Sequence, residues 1–346
     1  MSCTDTNGIV IHYEYDAVGN MTRMIYPDYT AVSYAYDANH NLVRVTDWAD
    51  RVTTYTYDAN NRVTRVTKPD GSVTTTVYDN CQRVTSTVEK TSSGTVISGF
   101  EYTYDNLSRI VEEKILANSR KMCYTYDNLN RETKRTIKNL SNVILSEETY
   151  SYDAAGNLTD DATNTTFAYG SNNRLTSYNG QSVSYDLDGN MLSNGDLSFT
   201  YDSANRLTSA GLHTYTYNVE NVRISNLFDD FDDTTYVYDT RTKLSKLLMK
   251  TSEGFITKYV YGKGLIGEES DGTFKTYHFD CRGSTIALTN TSGTVTDTFT
   301  YDTYGKLLSR TGTTETPFMY DGRDGVLTDD NGLLYMRARY YSPDMR

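Results

Sequence analysis

About 16 times along the chain one short phrase returns: an aromatic or β-branched residue, any residue, a tyrosine, and then an aspartate. It stands as Tyr13-Glu14-Tyr15-Asp16, Tyr34-Ala35-Tyr36-Asp37 and Tyr55-Thr56-Tyr57-Asp58. It continues around Tyr78-Asp79, Tyr104-Asp105, Tyr126-Asp127, Tyr152-Asp153, Tyr185-Asp186, Tyr201-Asp202, Tyr238-Asp239, Tyr301-Asp302 and Tyr320-Asp321. Variants keep the frame at Tyr169-Gly170, Tyr217-Asn218, Tyr261-Gly262 and Phe279-Asp280. The central rings are 21 residues apart in the first copies, 26, 22 and 26 apart in the next, and 16 apart between Tyr169 and Tyr217. A repeat of this length is one supersecondary unit that cannot bury its own apolar face and must share a core with its neighbours.

The unit reads as a hairpin. Side chains alternate along a strand, so Tyr-x-Tyr puts both rings on one face. Asp and the polar residues after it, such as Ala17-Val18-Gly19-Asn20 or Asp188-Gly189-Asn190, end the strand with side chains that bond the local backbone or tolerate positive φ. A β-branched strand such as Val63-Thr64-Arg65-Val66-Thr67 then returns, and a second turn follows, most plainly at Pro69-Asp70-Gly71. Some 16 hairpins make roughly 32 strands, and an open sheet of more than about ten strands curls or splits. The expected fold is all-β: hairpins in a long meandering sheet that winds into a spiral shell, with stacked Tyr rings as a ladder that fixes register.

Composition supports a folded chain. Mean hydropathy is low at −0.60, but 32 Tyr among 346 residues is the reverse of a disordered composition. The core should be largely tyrosine, with hydroxyls reaching water or backbone. A net charge of −12 with scattered Lys and Arg argues against a nucleic-acid partner, which would need a basic stripe. Cys3, Cys81, Cys123 and Cys281 are far apart and lack metal-site spacing. No run of about 18 apolar residues indicates a membrane span. Residues 1–15 have neither the basic nor the apolar region of a signal peptide, so any export signal is expected outside this chain.

The last quarter is more distinctive. It contains Tyr277-His278-Phe279-Asp280-Cys281-Arg282-Gly283-Ser284, then Tyr301-Asp302-Thr303-Tyr304-Gly305 and Tyr320-Asp321-Gly322-Arg323. It ends with Tyr335-Met336-Arg337-Ala338-Arg339-Tyr340-Tyr341-Ser342-Pro343. With the repeats before it, this segment resembles the RHS (rearrangement hotspot) and YD-repeat family. That family includes bacterial polymorphic toxins, wall-associated proteins, toxin-complex C components and the teneurins. The resemblance implies a YD-repeat array over residues 1–276 and a core-associated region over 277–346, cut short at its C-terminal end. It implies a hollow shell around a C-terminal effector, and in many members self-cleavage just beyond the core. Ser342-Pro343 stands where many relatives have Asp-Pro, and the downstream aspartates of that cleavage lie outside this sequence. A truncated core-associated region implies that residues 335–341 keep an unpaired edge and an uncovered apolar face, so that the chain self-associates.

Candidate chemistry is sparse. His12, His40, His213 and His278 fall in separate repeats and read as surface or packing residues. Asp186-Leu187-Asp188-Gly189-Asn190 resembles the start of a calcium loop, but Leu197 stands where an EF-hand needs its Glu. The acidic cluster at residues 228–233 reads as a solvated loop. Arg337 and Arg339 would share a strand face and bond carboxylates of a neighbouring coil or stack on Tyr rings. There is no Gly-rich phosphate loop, HExxH or GxSxG pattern.

The expected function is therefore a non-enzymatic shell that encloses or presents a variable C-terminal toxin domain, needing no cofactor. Its partners would be the rest of its own polypeptide, and its place secreted or on the cell surface. The alternative is a wall-associated binding module that takes a carbohydrate or a surface protein on exposed Tyr rings.

Overall fold

The computed structural model describes residues 1–4, 8–161, 165–229 and 232–346. The chain is nearly all β, and every strand pairs antiparallel with its sequence neighbours. A 14-stranded meander runs from Ser2–Thr4 to Ile144–Thr149, and a 12-stranded one from Phe199–Tyr201 to Leu307–Thr311.

The single unbroken strip expected from the repeats is interrupted. Between the two large sheets lie three small ones, and a fourth of three strands, Leu327–Thr328, Leu334–Tyr335 and Tyr340–Tyr341, closes the chain. The 16-residue repeats explain the interruption. Once the turns are subtracted they leave strands such as Phe167–Tyr169 and Ser184–Tyr185, only 3 and 2 residues long, too short to carry an extended ladder.

Most Tyr-Asp turns share one geometry, Tyr238-Asp239 and Tyr320-Asp321 excepted. The amide of Asp37 donates to Asn41 O at 3.0 Å, the amide of His40 donates to Asp37 O at 3.1 Å, and His40 sits at φ 62°. This is a type I turn followed by a left-handed residue, the usual three-residue hairpin loop. The position takes Gly19, Asn61, Asn130 and Gly156 in other copies, all at positive φ. Along Ala31–Tyr36, Val32 and Tyr34 are buried while Ser33 and Ala35 face out.

The meander comes back over itself. The turns at 26–30, 47–51 and 68–72 lie at the end of the first sheet opposite the Tyr-Asp turns, and they meet the second sheet. Tyr26 Oη donates to Tyr259 O at 2.6 Å across 233 residues. Trp48 Nε1 donates to Glu269 Oε1 at 2.8 Å across 221 residues. Lys68 Nζ donates to Tyr277 O at 2.7 Å across 209 residues. One core cluster joins both windings, from Ile11 and Tyr13 through Leu248 and Leu288 to Tyr335. In the first winding this core is rich in Tyr; in the second it is equally aliphatic, with Leu247, Leu248, Ile266 and Leu288 at its centre.

Candidate functional site: the winding seam and the C-terminal closure

Within the repeat the two rings have different jobs. The first is buried: Tyr55 and Tyr124 are 6% and 7% exposed. The second, the ring of the Tyr-Asp pair, is half-buried, and its hydroxyl donates to a backbone carbonyl of the preceding repeat. Tyr36 reaches Met21 O, Tyr57 reaches Leu42 O, Tyr104 reaches Val84 O, and Tyr126 reaches Ile110 O. Tyr152, Tyr185 and Tyr301 do the same to Glu132, Leu175 and Thr285, and Tyr201 meets the backbone of Met191. Tyr15, in the first copy, is exposed.

The aspartates close the turns. Asp58 Oδ1 accepts from the amides of Asn60 and Arg62, and Oδ2 takes the Arg62 guanidinium at 2.7 Å. Asp105, Asp127 and Asp202 repeat this with Arg109, Arg131 and Arg206. Asp16, Asp37, Asp153 and Asp186 use Asn20, Asn41, Asn157 and Asn190 instead, so the calcium-like segment at Asp186 is a turn of the common kind. The residue that sequence reasoning missed is this arginine four places after the aspartate. Its guanidinium also lies over the next Tyr ring: Arg62 over Tyr78 at 4.4 Å, Arg109 over Tyr126 at 4.7 Å, Arg131 over Tyr152 at 4.6 Å. The expected ladder of directly stacked rings is replaced by a ring–arginine–carboxylate chain, because neighbouring repeats are two strands apart and only a long cation spans that gap. The recurring Tyr-Asp-x-x-x-Arg spacing was the available signal.

The seam between windings holds a buried polar cluster. His278 Nδ1 lies 3.0 Å from Glu89 Oε1, and its Nε2 lies 2.9 Å from Thr289 Oγ1 and 3.5 Å from Asp70. Thr289 Oγ1 donates to Asp70 Oδ2 at 2.6 Å, and Lys68 Nζ reaches Glu89 at 2.7 Å. Burial alone would raise both carboxyls. Hydrogen bonds from His278, Thr289 and Ser72 nevertheless hold Asp70 well below the usual range, and the charges of Lys68 and His278 bring Glu89 down to about 2. A histidine between two carboxylates has the composition of an acid–base relay, but His278 and Asp70 side chains are 0% exposed. No substrate reaches them, so they act as a lock. Beside them Glu268 accepts from Tyr277 Oη at 2.5 Å, and burial pushes its carboxyl up to about 7.

The C-terminal segment closes over the second sheet. Arg223, fully buried, forms a two-pronged pair with Asp329 at 2.5 and 2.8 Å. Its guanidinium faces Tyr335 at 4.4 Å, Tyr215 at 5.1 Å, Tyr236 at 5.2 Å and Tyr340 at 5.8 Å. Tyr340 Oη meets Tyr217 Oη at 3.0 Å, and Tyr341 Oη donates to Tyr304 O at 2.8 Å. Pro343 is buried, with its carbonyl taken by Arg346 at 2.7 Å. Gly283, at φ 100°, gives its carbonyl to the Arg323 amide, while Arg282 stays at the surface with its amide on Asp280.

Three expectations need correction here. The apolar face at residues 335–341 is covered rather than bare: Tyr335, 1% exposed, belongs to the core cluster that holds Tyr236 and Leu327, and Tyr340 and Tyr341 are half-buried. Arg337 and Arg339 do not share a strand face. The Met336 amide donates to Arg339 O at 2.8 Å and closes a bend with Arg337 at φ 61°. Arg337 then donates to the carbonyls of Ser245 and Asp324, Arg339 is exposed, and the carboxylate-and-ring role falls to Arg223.

The remaining candidates are ordinary. His40 sits in a turn beside Asn20, His213 packs on Tyr215 and Phe228, and the four cysteines are free thiols. Of the acidic cluster, Asp230 and Phe231 lie outside the described residues.

Residues 2–31, 36–73 and 57–96 match the RHS Repeat family, and residues 87–263 match the Teneurin YD-shell family. The chain belongs to the RHS/YD-repeat family. Among curated proteins it is 25% identical over 222 residues to the tRNA3(Ser)-specific nuclease WapA of Bacillus spizizenii, and 24% identical over 222 residues to the tRNA nuclease WapA of Bacillus subtilis. Each match covers 56% of this chain and 9% of the relative. Among solved structures, the TcdB2-TccC3-Cdc42 complex superposes with TM-score 0.78 at 16% identity, and the Photorhabdus luminescens Tc holotoxin pore with TM-score 0.80 at 17%. Both superpositions cover 97% of this chain and 20% of the other. They show that the fold of this YD-repeat chain is that of a toxin-complex shell.

Proposed function

We propose that this YD-repeat chain is a structural shell segment that encloses or presents a C-terminal effector belonging to the same polypeptide. The observation that carries the reading is the seam. Side chains with the makings of chemistry are sealed: His278, Asp70 and Glu89 between windings, where they hold coil on coil, and Arg223 under the C-terminal segment, where it holds the closure. Residues 277–346 act as the closing region and 1–276 as the repeat wall. The strand Thr273–Phe279 runs across that boundary, so the 12-stranded sheet is shared by wall and closing region. The wall performs no turnover of its own; catalysis, as in a nuclease, belongs to the effector. Secretion or display at the cell surface follows from that role. A carbohydrate-binding wall module is less favoured, since the tyrosines mostly turn inward and Tyr15 and Tyr29 are the exposed tyrosines among the described residues.

The test uses the full-length parent protein under limited proteolysis. The segment following the closing region should resist cleavage in the intact parent and become sensitive in Asp329→Asn, which loosens the closure. Cleavage of that segment at the same rate in parent and variant, matching the free segment, refutes enclosure. A hydrolytic activity of residues 1–346 that one point substitution abolishes refutes the non-enzymatic wall.

A further inference from the structure

Four cations from four separate segments converge on one cavity of about 210 Å³. Lys246 opens the strand Lys246–Ser252. Lys263 stands in the turn between Phe255–Tyr261 and Leu265–Ser270. Arg323 comes from the short helical turn Gly322–Asp324, and Arg337 from the bend at positive φ. In a chain of net charge −12, like charges gathered this way repel unless something offsets them. Asp324 is the one acidic side chain lining the cavity, and it is already paired with Arg323 at 3.1 Å.

Behind the walls two donors lie without a partner. Tyr261 is 4% exposed, and its hydroxyl finds no partner among the described residues. Arg337 Nε is likewise buried and unpartnered. Buried donors are ordinarily satisfied. Burial holds the Lys246 ammonium below its ordinary value, with Asp239 opposing. Gly325, at φ 88°, lets Arg337 come close: a Cβ there would fall 2.5 Å from its guanidinium. The cavity is far larger than the ~10–15 Å³ that admits one water.

We infer that this cavity is a binding site for a small oxyanion, a phosphate or carboxylate group held by Arg337 and Lys246, with Lys263 and Arg323 at its mouth. Converging guanidinium and ammonium groups are the recognition set for such groups. The site lies beside the closing region, and the inference does not depend on what the shell encloses.

The test is calorimetric titration of the chain with inorganic phosphate and, separately, with malonate. Saturable binding in the range of ~1 mM or tighter is expected for at least one of them, weakening as sodium chloride is raised. Binding of phosphate alone assigns a phosphate group, and binding of malonate alone a carboxylate. Lys263→Gln/Arg323→Gln, two surface changes that leave the fold intact, should weaken binding about tenfold. Gly325→Ala should abolish it by displacing the Arg337 guanidinium; if that variant does not fold, the surface pair alone decides. No binding of either anion, or binding unchanged in the surface double variant, overturns the site.

Discussion

Arg223 and Asp329 offer the sharpest perturbation of the closure. The pair is fully buried, two-pronged and ringed by four tyrosines. Asp329→Asn keeps the shape and leaves a guanidinium buried without its counter-charge. Breaking a buried pair from one side costs about 3–5 kcal/mol, a large part of a domain's ordinary stability of roughly 5–15 kcal/mol. Removing both charges is a different case. Arg223 Nε has no partner even in the intact pair, so desolvation is incompletely offset. In Arg223→Met/Asp329→Leu the thioether regains contact with the same rings, at about 0.3–1.5 kcal/mol each. The double variant should therefore fall within about 2 kcal/mol of the parent. Urea denaturation of the parent, both single variants and the double variant gives the coupling energy, expected at about 4 kcal/mol or more, the two single costs less that of the double variant. Strictly additive single costs, or an Asp329→Asn cost below about 1 kcal/mol, would refute the claim that this pair clamps the C-terminal segment.

Other outcomes follow from the same geometry. Tyr124→Ala, which empties a buried site and strips Glu113 of its 2.7 Å donor, should cost about 3 kcal/mol or more, whereas Tyr126→Phe, losing only the bond to Ile110 O, should cost about 1 kcal/mol; equal urea midpoints would contradict the division of labour between the two rings. Glu268 has an ordinary value of 4.5 and sits at about 7 in the fold, so its contribution is full below 4.5 and is lost as pH rises through 7, amounting to about 3 kcal/mol. Glu268→Gln should flatten stability against pH across that window, and an unchanged slope would mean the carboxyl is not buried as described. The turn aspartates Asp16, Asp37, Asp58, Asp105, Asp127, Asp153, Asp186 and Asp202 are all held below their ordinary 3.8 by bonds from the residue four places on. Their contribution is present above 3.8 and lost as pH falls through the lowered values. Acid titration followed by circular dichroism should show the array intact at pH 4 and unfolding below it.

The hairpin was legible in the residues because everything that makes it is local. Alternation in Tyr55-Thr56-Tyr57, the turn chemistry of Asp58-Ala59-Asn60-Asn61 and the β-branched return strand all act within one repeat, and the YD-shell fold follows from copying that unit. The arginine of Tyr57-Asp58-x-x-x-Arg62 was just as local and equally readable. What no repeat contains is the number of strands in one winding. That number depends on twist accumulated strand by strand, and it decides that Asp70 meets His278 across 208 positions of sequence, that Tyr13 meets Asp239 across 226, and that Arg223 rather than Arg337 receives the aspartate and the rings. Periodicity specifies which face of each strand turns inward; only the closed winding determines what lies opposite it.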